Sequence, residues 1–351
     1  MKHILFISCL KFLRKISSFL QIGNPHGKAP FLVEKPDEEY EIYKHLDHIS
    51  IWKLHNVICN NLFGGLIIDA NNKTYKRFTA FPWGIDLHPG ITFPYLGRDS
   101  YEIDKAVFLI TPEAEGNYYH WIVDLLPRLV LLSRNLENIS NVKIILHKST
   151  KSYEKETLEI LDLPIENIIR LNSFSIATVK EMYIADYINY NEKFPIWKKQ
   201  LIDSFIERLT YKEEYETYDK IYLVRGNQKT RRLIGEKKLI QKLRDLNFKI
   251  IDPQTLSLSR QIYILSKANT VIGVHGAALT NIIFCKEKTK IIELRSNNHP
   301  PEFFSEIAKT YNLNFCTVSI DPVKTKKNKN SANRQNLLLT EENTNELMYM
   351  L

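Results

Sequence analysis

The chain has 351 residues, 44% of them hydrophobic and 25% charged, an ordinary balance for a globular enzyme. A single hydrophobic core rarely grows beyond about 250 residues, so this length points to two domains. The formal net charge is +8. Much of it sits at Lys2, Lys11, Arg14 and Lys15 and at Lys324, Lys326, Lys327, Lys329 and Arg334. Such runs are either solvated tails or attract an anionic membrane surface or polymer. No zinc finger, RNP motif or long basic helix accompanies them, which argues against a nucleic acid partner. The four cysteines form no C-x-x-C pair, so neither a structural zinc site nor a disulfide framework is indicated, and a cytoplasmic location is expected.

Residues 1–20, MKHILFISCLKFLRKISSFL, contain an apolar run from Ile4 to Leu10 that is too short to span a bilayer. No small-residue cleavage site follows, which argues against a signal peptide. As a helix, this segment puts Leu5, Cys9, Phe12, Ile16 and Phe19 on one face and Lys11, Arg14, Lys15 and Ser18 on another. That pattern suits either peripheral contact with an inner membrane or an ordinary helix docked on the protein. From about Ile51 to Arg98 the chain is rich in Gly, Asn, Pro and aromatics. Leu66 to Asp69 and Thr74 to Lys76, on either side of an Asn-Asn turn, read as two strands of a β-rich opening.

From Lys105 the pattern alternates. Strands are expected at Ala106–Ile110, Val142–Leu146 and Thr178–Ile184, and helices at Tyr118–Arg134, Glu154–Leu161 and Pro195–Leu209. The charged stretch 210–218 reads as a linker, which gives domains at 21–210 and 219–351. The second domain is the cleaner series. Strands are expected at Ile221–Arg225, Phe248–Ile251, Thr270–Val274, Lys290–Leu294, Phe315–Ile320 and Asn336–Leu339. Helices are expected at Gly235–Leu246, after a Ser257 cap, at Ala278–Phe284, and from Thr340 to the end. Such alternation predicts an α/β fold with a parallel sheet covered by helices on both faces.

Three places could carry chemistry. In VIGVHGAALTN a strand runs into His275, Gly276, Ala277 and Ala278 and then into a helix. Small residues there let a ligand reach bare backbone, and the helix N–H groups favour a phosphate. The full G-x-G-x-x-G spacing is absent, so a dinucleotide fingerprint is not met. Arg225, Lys229, Arg231 and Arg232 cluster after another strand, on the same edge if the sheet is parallel, where guanidinium groups would neutralise a diphosphate. Glu293 ends a strand on that edge and could accept hydrogen bonds from ribose hydroxyls. In the first half, His120, Asp124 and Arg128 repeat at i, i+4 and i+8 on one helical face, with Asn117 as the cap and Pro127 loosening the helix. A carboxylate beside an imidazole orients it and raises its basicity. No D-x-D, H-E-x-x-H, Walker A or G-x-S-x-G string occurs, so no metal site is expected.

Together, NYYHWIVDLLPRL, IYLVRGNQKTRRL, DPQTLSLSRQIYILSKANTVIGVHGAALTNIIF and KIIEL resemble glycosyltransferase family 61, from about Lys105 to Leu294. HGAALTN and the L-S-L-x-x-Q-I helix before it are the most specific part. The family includes bacterial surface-polysaccharide transferases, plant xylan-decorating enzymes and eukaryotic transferases that extend protein O-glycans. The resemblance implies a GT-B-like architecture of two Rossmann-like domains facing across a cleft. It also implies an inverting, metal-independent, EC 2.4-class transfer of a hexose or pentose from a nucleotide-sugar, usually a UDP-sugar, with no cofactor. By resemblance, Arg225, His275, Gly276, Asn281 and Glu293 face the donor, with Arg231, Ala277 and Ala278 beside them. His120 and Asp124 face from the other domain. The expected acceptor is a surface glycan of capsule or lipooligosaccharide type, free or lipid-linked. Two features depart from the family pattern: Ala278 replaces a usual glycine, and Gly235-Glu236 replaces an Asn-Glu pair. His120 is the first candidate for general base and His275 the second. The rival functions are a non-catalytic nucleotide-sugar or polyanion binder and a nicotinamide-dependent oxidoreductase.

Overall fold

The computed structural model describes residues 8–9, 30–45, 49–61, 64–79, 88–92, 99–111, 114–149, 151–187, 194–211, 215–226, 231–297, 302–323 and 335–351. The basic residues of both charged runs, and Lys229, lie outside them. The chain divides into two compact units, 1–189 and 190–351. The division falls upstream of the charged stretch 210–218, so the helix Ile196–Ile206 groups with the second unit. Tyr311 explains why. Its ring lies 5.9 Å from that of Phe194 and 4.9 Å from Lys199 Nζ, and Thr310 Oγ1 donates to the Phe194 carbonyl at 2.6 Å.

In the first unit, strands are β1 (Phe31–Val33), β2 (Glu41–His45), β3 (Ile49–Asn60), β4 (Leu66–Ile68), β5 (Lys73–Tyr75), β6 (Asp99–Phe108), β7 (Lys143–His147), β8 (Ile168–Leu171) and β9 (Ser175–Ala185). The main sheet runs β2-β3-β9-β6-β7-β8. β6, β7, β8 and β9 are parallel, but β3 joins β9, β2 and β4 antiparallel. The sheet is therefore mixed, not the wholly parallel sheet of a Rossmann-like domain. Nor do Leu66–Ile68 and Lys73–Tyr75 close on each other as a ladder. β4 pairs with β3, and β5 pairs with β1 in parallel. The Asp69 side chain still organises the turn between them, accepting from Asn71 N and Lys73 N.

β7 ends on His147, which is buried, and neither ring nitrogen has a hydrogen-bond partner among the described residues. Burial first, then nearby Arg170, pushes its imidazole from 6.5 down to about 4. As pH falls, the unfolded chain takes up this proton before the folded one does. The stabilisation is therefore complete above about pH 6.5 and is lost through pH 4, by about 3 kcal/mol. Urea unfolding at pH 7 and pH 4.5 should show that loss, and the His147→Leu variant should lose less over the same interval.

The second unit holds β10 (Lys220–Leu223), β11 (Leu233–Ile234), β12 (Lys249–Ile251), β13 (Thr270–Val274), β14 (Lys290–Ser296), β15 (Asn314–Ile320) and β16 (Leu337–Leu338). Five of these make an all-parallel sheet in the order β12-β10-β13-β14-β15. Period-two alternation sends Tyr222, Ile272, Val274, Ile292, Leu294, Val318 and Ile320 to one face. There they pack with Leu239 and Leu243 of the helix Glu236–Asp245 and Leu347 of the helix Glu341–Met350. Gly273 faces the other way, 3.0 Å from Leu279 at the position a Cβ would occupy. That face carries the 3-10 helix Ala277–Phe284, flanked by the helices Leu258–Lys267 and Phe303–Thr310. Ser257 caps the first of these through Arg260 N, and Thr340 caps the closing helix with a capping box. β11 and β16 pair apart from the main sheet.

Candidate active site

In the order β12-β10-β13-β14-β15, the chain passes from β10 to β12 on one side and then crosses to β13 on the other, which makes the β10/β13 boundary a topological switch point. Ligands of open parallel sheets bind in the crevice beyond the strand carboxyl ends at such a point. Leu223 pairs with Gly273, so Arg225 and His275 leave neighbouring strands side by side. Arg225 Nη1 donates to the His275 carbonyl at 2.7 Å, and Arg231 Nη1 reaches the same oxygen at 3.4 Å. Burial and the Arg231 charge pull Arg225 down to about 10, against the opposing pull of Glu236, so it remains a cation at neutral pH. The guanidinium lies directly on Gly276. A Cβ there would stand 1.6 Å from Arg225 Nη1, and φ is +154°. Only glycine fits.

Glu293 is not at a strand end. β14 continues through Ser296, and the Glu293 side chain is buried. Its Oε1 lies 2.6 Å from His275 Nδ1, and Oε2 faces Arg295 Nη1 at 4.0 Å. The edge of the His275 ring meets Phe304, with centroids 5.2 Å apart.

In the first unit, Asn117 caps the helix through Tyr119 N, as its position predicts. The helix is not regular: Tyr118–His120 leads into a π segment, Trp121–Leu125, and then into the α segment Leu126–Asn135. Leu126 N donates five residues back, to the Trp121 carbonyl. The cause lies in Pro127, which has no N–H to give the preceding turn. His120 Nδ1 and Asp124 Oδ2 stand 2.8 Å apart, both partly exposed. Arg128 does not extend their stripe. The extra residue in the π turn rotates the downstream α segment by about 100°. Arg128 is consequently buried, donating through Nε and Nη2 to the Ala185 carbonyl at 3.1 and 2.8 Å.

Residues 118–292 match the family model described as Glycosyltransferase 61. The chain belongs to glycosyltransferase family 61. No curated protein matches it. As a member of this family it is a glycosyltransferase, which moves sugar from a donor to an acceptor. The matched region opens on the helix of His120, takes in Arg225, Arg231 and the whole 275–281 turn, and stops one residue before Glu293.

Asn281 of this glycosyltransferase is wholly buried. Its Nδ2 donates to Gln261 Oε1 at 3.0 Å and to the Ala278 carbonyl at 3.1 Å, locking the turn to the helix Leu258–Lys267. Gln261 is the glutamine of L-S-L-x-x-Q-I, so the signal for this latch lay in the sequence without an assigned role. Tyr222 and Glu236 carried no such signal. The Tyr222 hydroxyl donates to Glu236 Oε1 at 2.7 Å, bringing a carboxylate near Arg225. Among the described residues, no three His, Cys, Asp or Glu side chains gather as a metal-ligand set. A groove of about 1000 Å³ opens in the first unit beside Lys53, Lys105 and Tyr183, and none of the candidate residues lines it.

Proposed function

We propose that this enzyme is an inverting, metal-independent glycosyltransferase of GT-B type, using a UDP-sugar and a hydroxyl of a surface glycan. The observation that carries the donor assignment is the convergence of Arg225 and Arg231 on the His275 carbonyl at the switch point. Two cations held against one turn are a charge trap for a diphosphate. In the proposed reaction, the acceptor oxygen attacks the anomeric carbon from the face opposite the nucleotide. His120, held by Asp124, takes the hydroxyl proton. The bond from the anomeric carbon to the diphosphate oxygen breaks, its electron pair leaving with the diphosphate. Arg225, Arg231 and the N–H groups of the turn stabilise that growing charge.

The glycan is proposed to be of capsule or lipooligosaccharide type. The basic amphipathic pattern of residues 1–20 supports peripheral contact with the inner membrane, where lipid-linked acceptors are presented. Among the described residues, no helix is long and apolar enough to cross a membrane.

A thermal-shift panel of UDP, GDP, CMP, NADH and several UDP-sugars, with and without EDTA, tests the donor assignment. A ligand at a hundred times its dissociation constant adds about 2.7 kcal/mol to stability. Stabilisation by a UDP compound that survives EDTA is the expected result. Stabilisation by NADH alone, or by a nucleotide only in the absence of EDTA, overturns it.

A further inference from the structure

Glu293 poses a problem that the donor site does not by itself answer. A carboxylate in the middle of a buried strand is costly unless it is paired. The fold supplies a partner for this one. Register sets Glu293 beside Gly273 on β13, so the two share a face, with Leu279 packed against Gly273. His275 follows Gly273 by two residues and so points to the same face. On that face the Glu293 side chain meets His275 Nδ1 at 2.6 Å. Phe304 sets the ring from another side, and Arg225 ties down the His275 carbonyl. Backbone, ring edge and ring nitrogen are thus each fixed by a different element.

We propose that Glu293 is a positioning residue for His275: it accepts from Nδ1–H, which fixes the ring and turns Nε2 toward the donor site, and its charge favours the doubly protonated ring that can donate from Nε2 to a diphosphate oxygen. The proposal rests on the assignment of the 275–278 turn to the donor. It replaces the ribose contact that a strand-end carboxylate would make, because Oε1 is already taken by the imidazole. A ring nitrogen's partner decides which tautomer is present, and with Nδ1–H committed to Glu293 the chemistry passes to Nε2. The arrangement parallels the carboxylate that orients a catalytic histidine in hydrolytic triads, where its loss costs turnover and not geometry.

The test combines kinetics with a ring signature that needs no turnover. Glu293→Gln keeps the volume and one oxygen but removes the charge. It should lower kcat about a hundredfold while leaving the KM for the donor within about threefold. A tenfold rise in donor KM with kcat intact would restore the ribose role and overturn the proposal. No change in either would make the pair purely structural and would overturn it equally. Nitrogen-15 NMR of histidine-labelled, unliganded protein reads the tautomer directly, with the His275 signals identified by their absence from His275→Gln. The wild-type ring should carry a proton on Nδ1, and Glu293→Gln should lose that fixed preference. A proton on Nε2 alone in the wild type, or identical signals in both proteins, sinks the proposal. Absence of transfer from every nucleotide-sugar would count against the proposed reaction, and the ring signature would still decide the role of Glu293.

Discussion

Gly276→Ala should lose nucleotide-sugar binding by at least about a hundredfold, equivalent to about 2.7 kcal/mol. The reason is spatial. The added methyl would fall 1.6 Å from Arg225 Nη1, so the guanidinium must leave the turn. Its hydrogen bond to the His275 carbonyl goes with it, and the methyl then covers the backbone that a diphosphate would approach in the proposed donor complex. Overpacking of this kind also costs about 1–3 kcal/mol of stability. Arg225→Ala removes the charge without covering the backbone and should weaken binding by roughly tenfold to a hundredfold. The double variant separates the two causes. With Arg225 gone, the methyl has nothing to displace, so urea unfolding should show part of the Gly276→Ala stability loss recovered. Binding, read by titration calorimetry with UDP, should not recover. Coupling of this size is expected only for groups in contact. Normal UDP affinity in Gly276→Ala would mean that the diphosphate does not meet this turn.

The second unit was legible because its strands are buried on both faces and its helices carry apolar stripes. Thr270–Val274 falls where the pattern puts it, and the caps at Ser257 and Thr340 are seen. Pairing was less legible than periodicity. Leu66–Asp69 and Thr74–Lys76 do hold strands, yet each strand finds another partner, because local pattern does not encode pairing. The helix Phe303–Thr310 went unseen, although it supplies Phe304 to the His275 ring. At the site, charge and small residues were readable, but direction was not. Glu293 looked like a strand-end charge until the strand proved two residues longer. Arg128 looked like the third member of a stripe until the π turn rotated it into the interior. A proline was visible in that helix, but not which bond its missing N–H would displace.

That same π turn frames the largest expected effect, the loss of turnover in His120→Ala. Removing a positioned general base costs typically a factor of 10² to 10⁴, and about a thousandfold fall in kcat is expected here. Donor affinity should stay within about threefold, since in the proposed reaction the base acts on the acceptor hydroxyl. Asp124→Asn should cost less, roughly tenfold to a hundredfold, because the imidazole remains but its Nδ1 partner at 2.8 Å loses its charge. The comparison with His275 makes the assignment sharp. Both histidines have a carboxylate at Nδ1, at 2.8 Å in one case and 2.6 Å in the other, so geometry alone nominates both. Their surroundings differ. His275 is buried and has two guanidinium groups on its own carbonyl, a setting that suits a leaving diphosphate. His120 is partly exposed beside a carboxylate, a setting in which it can collect a proton from an incoming hydroxyl. Single-turnover rates measured with saturating donor test the assignment of His120. If His120→Ala keeps wild-type turnover, the base is not His120 and the His120–Asp124 pair is structural.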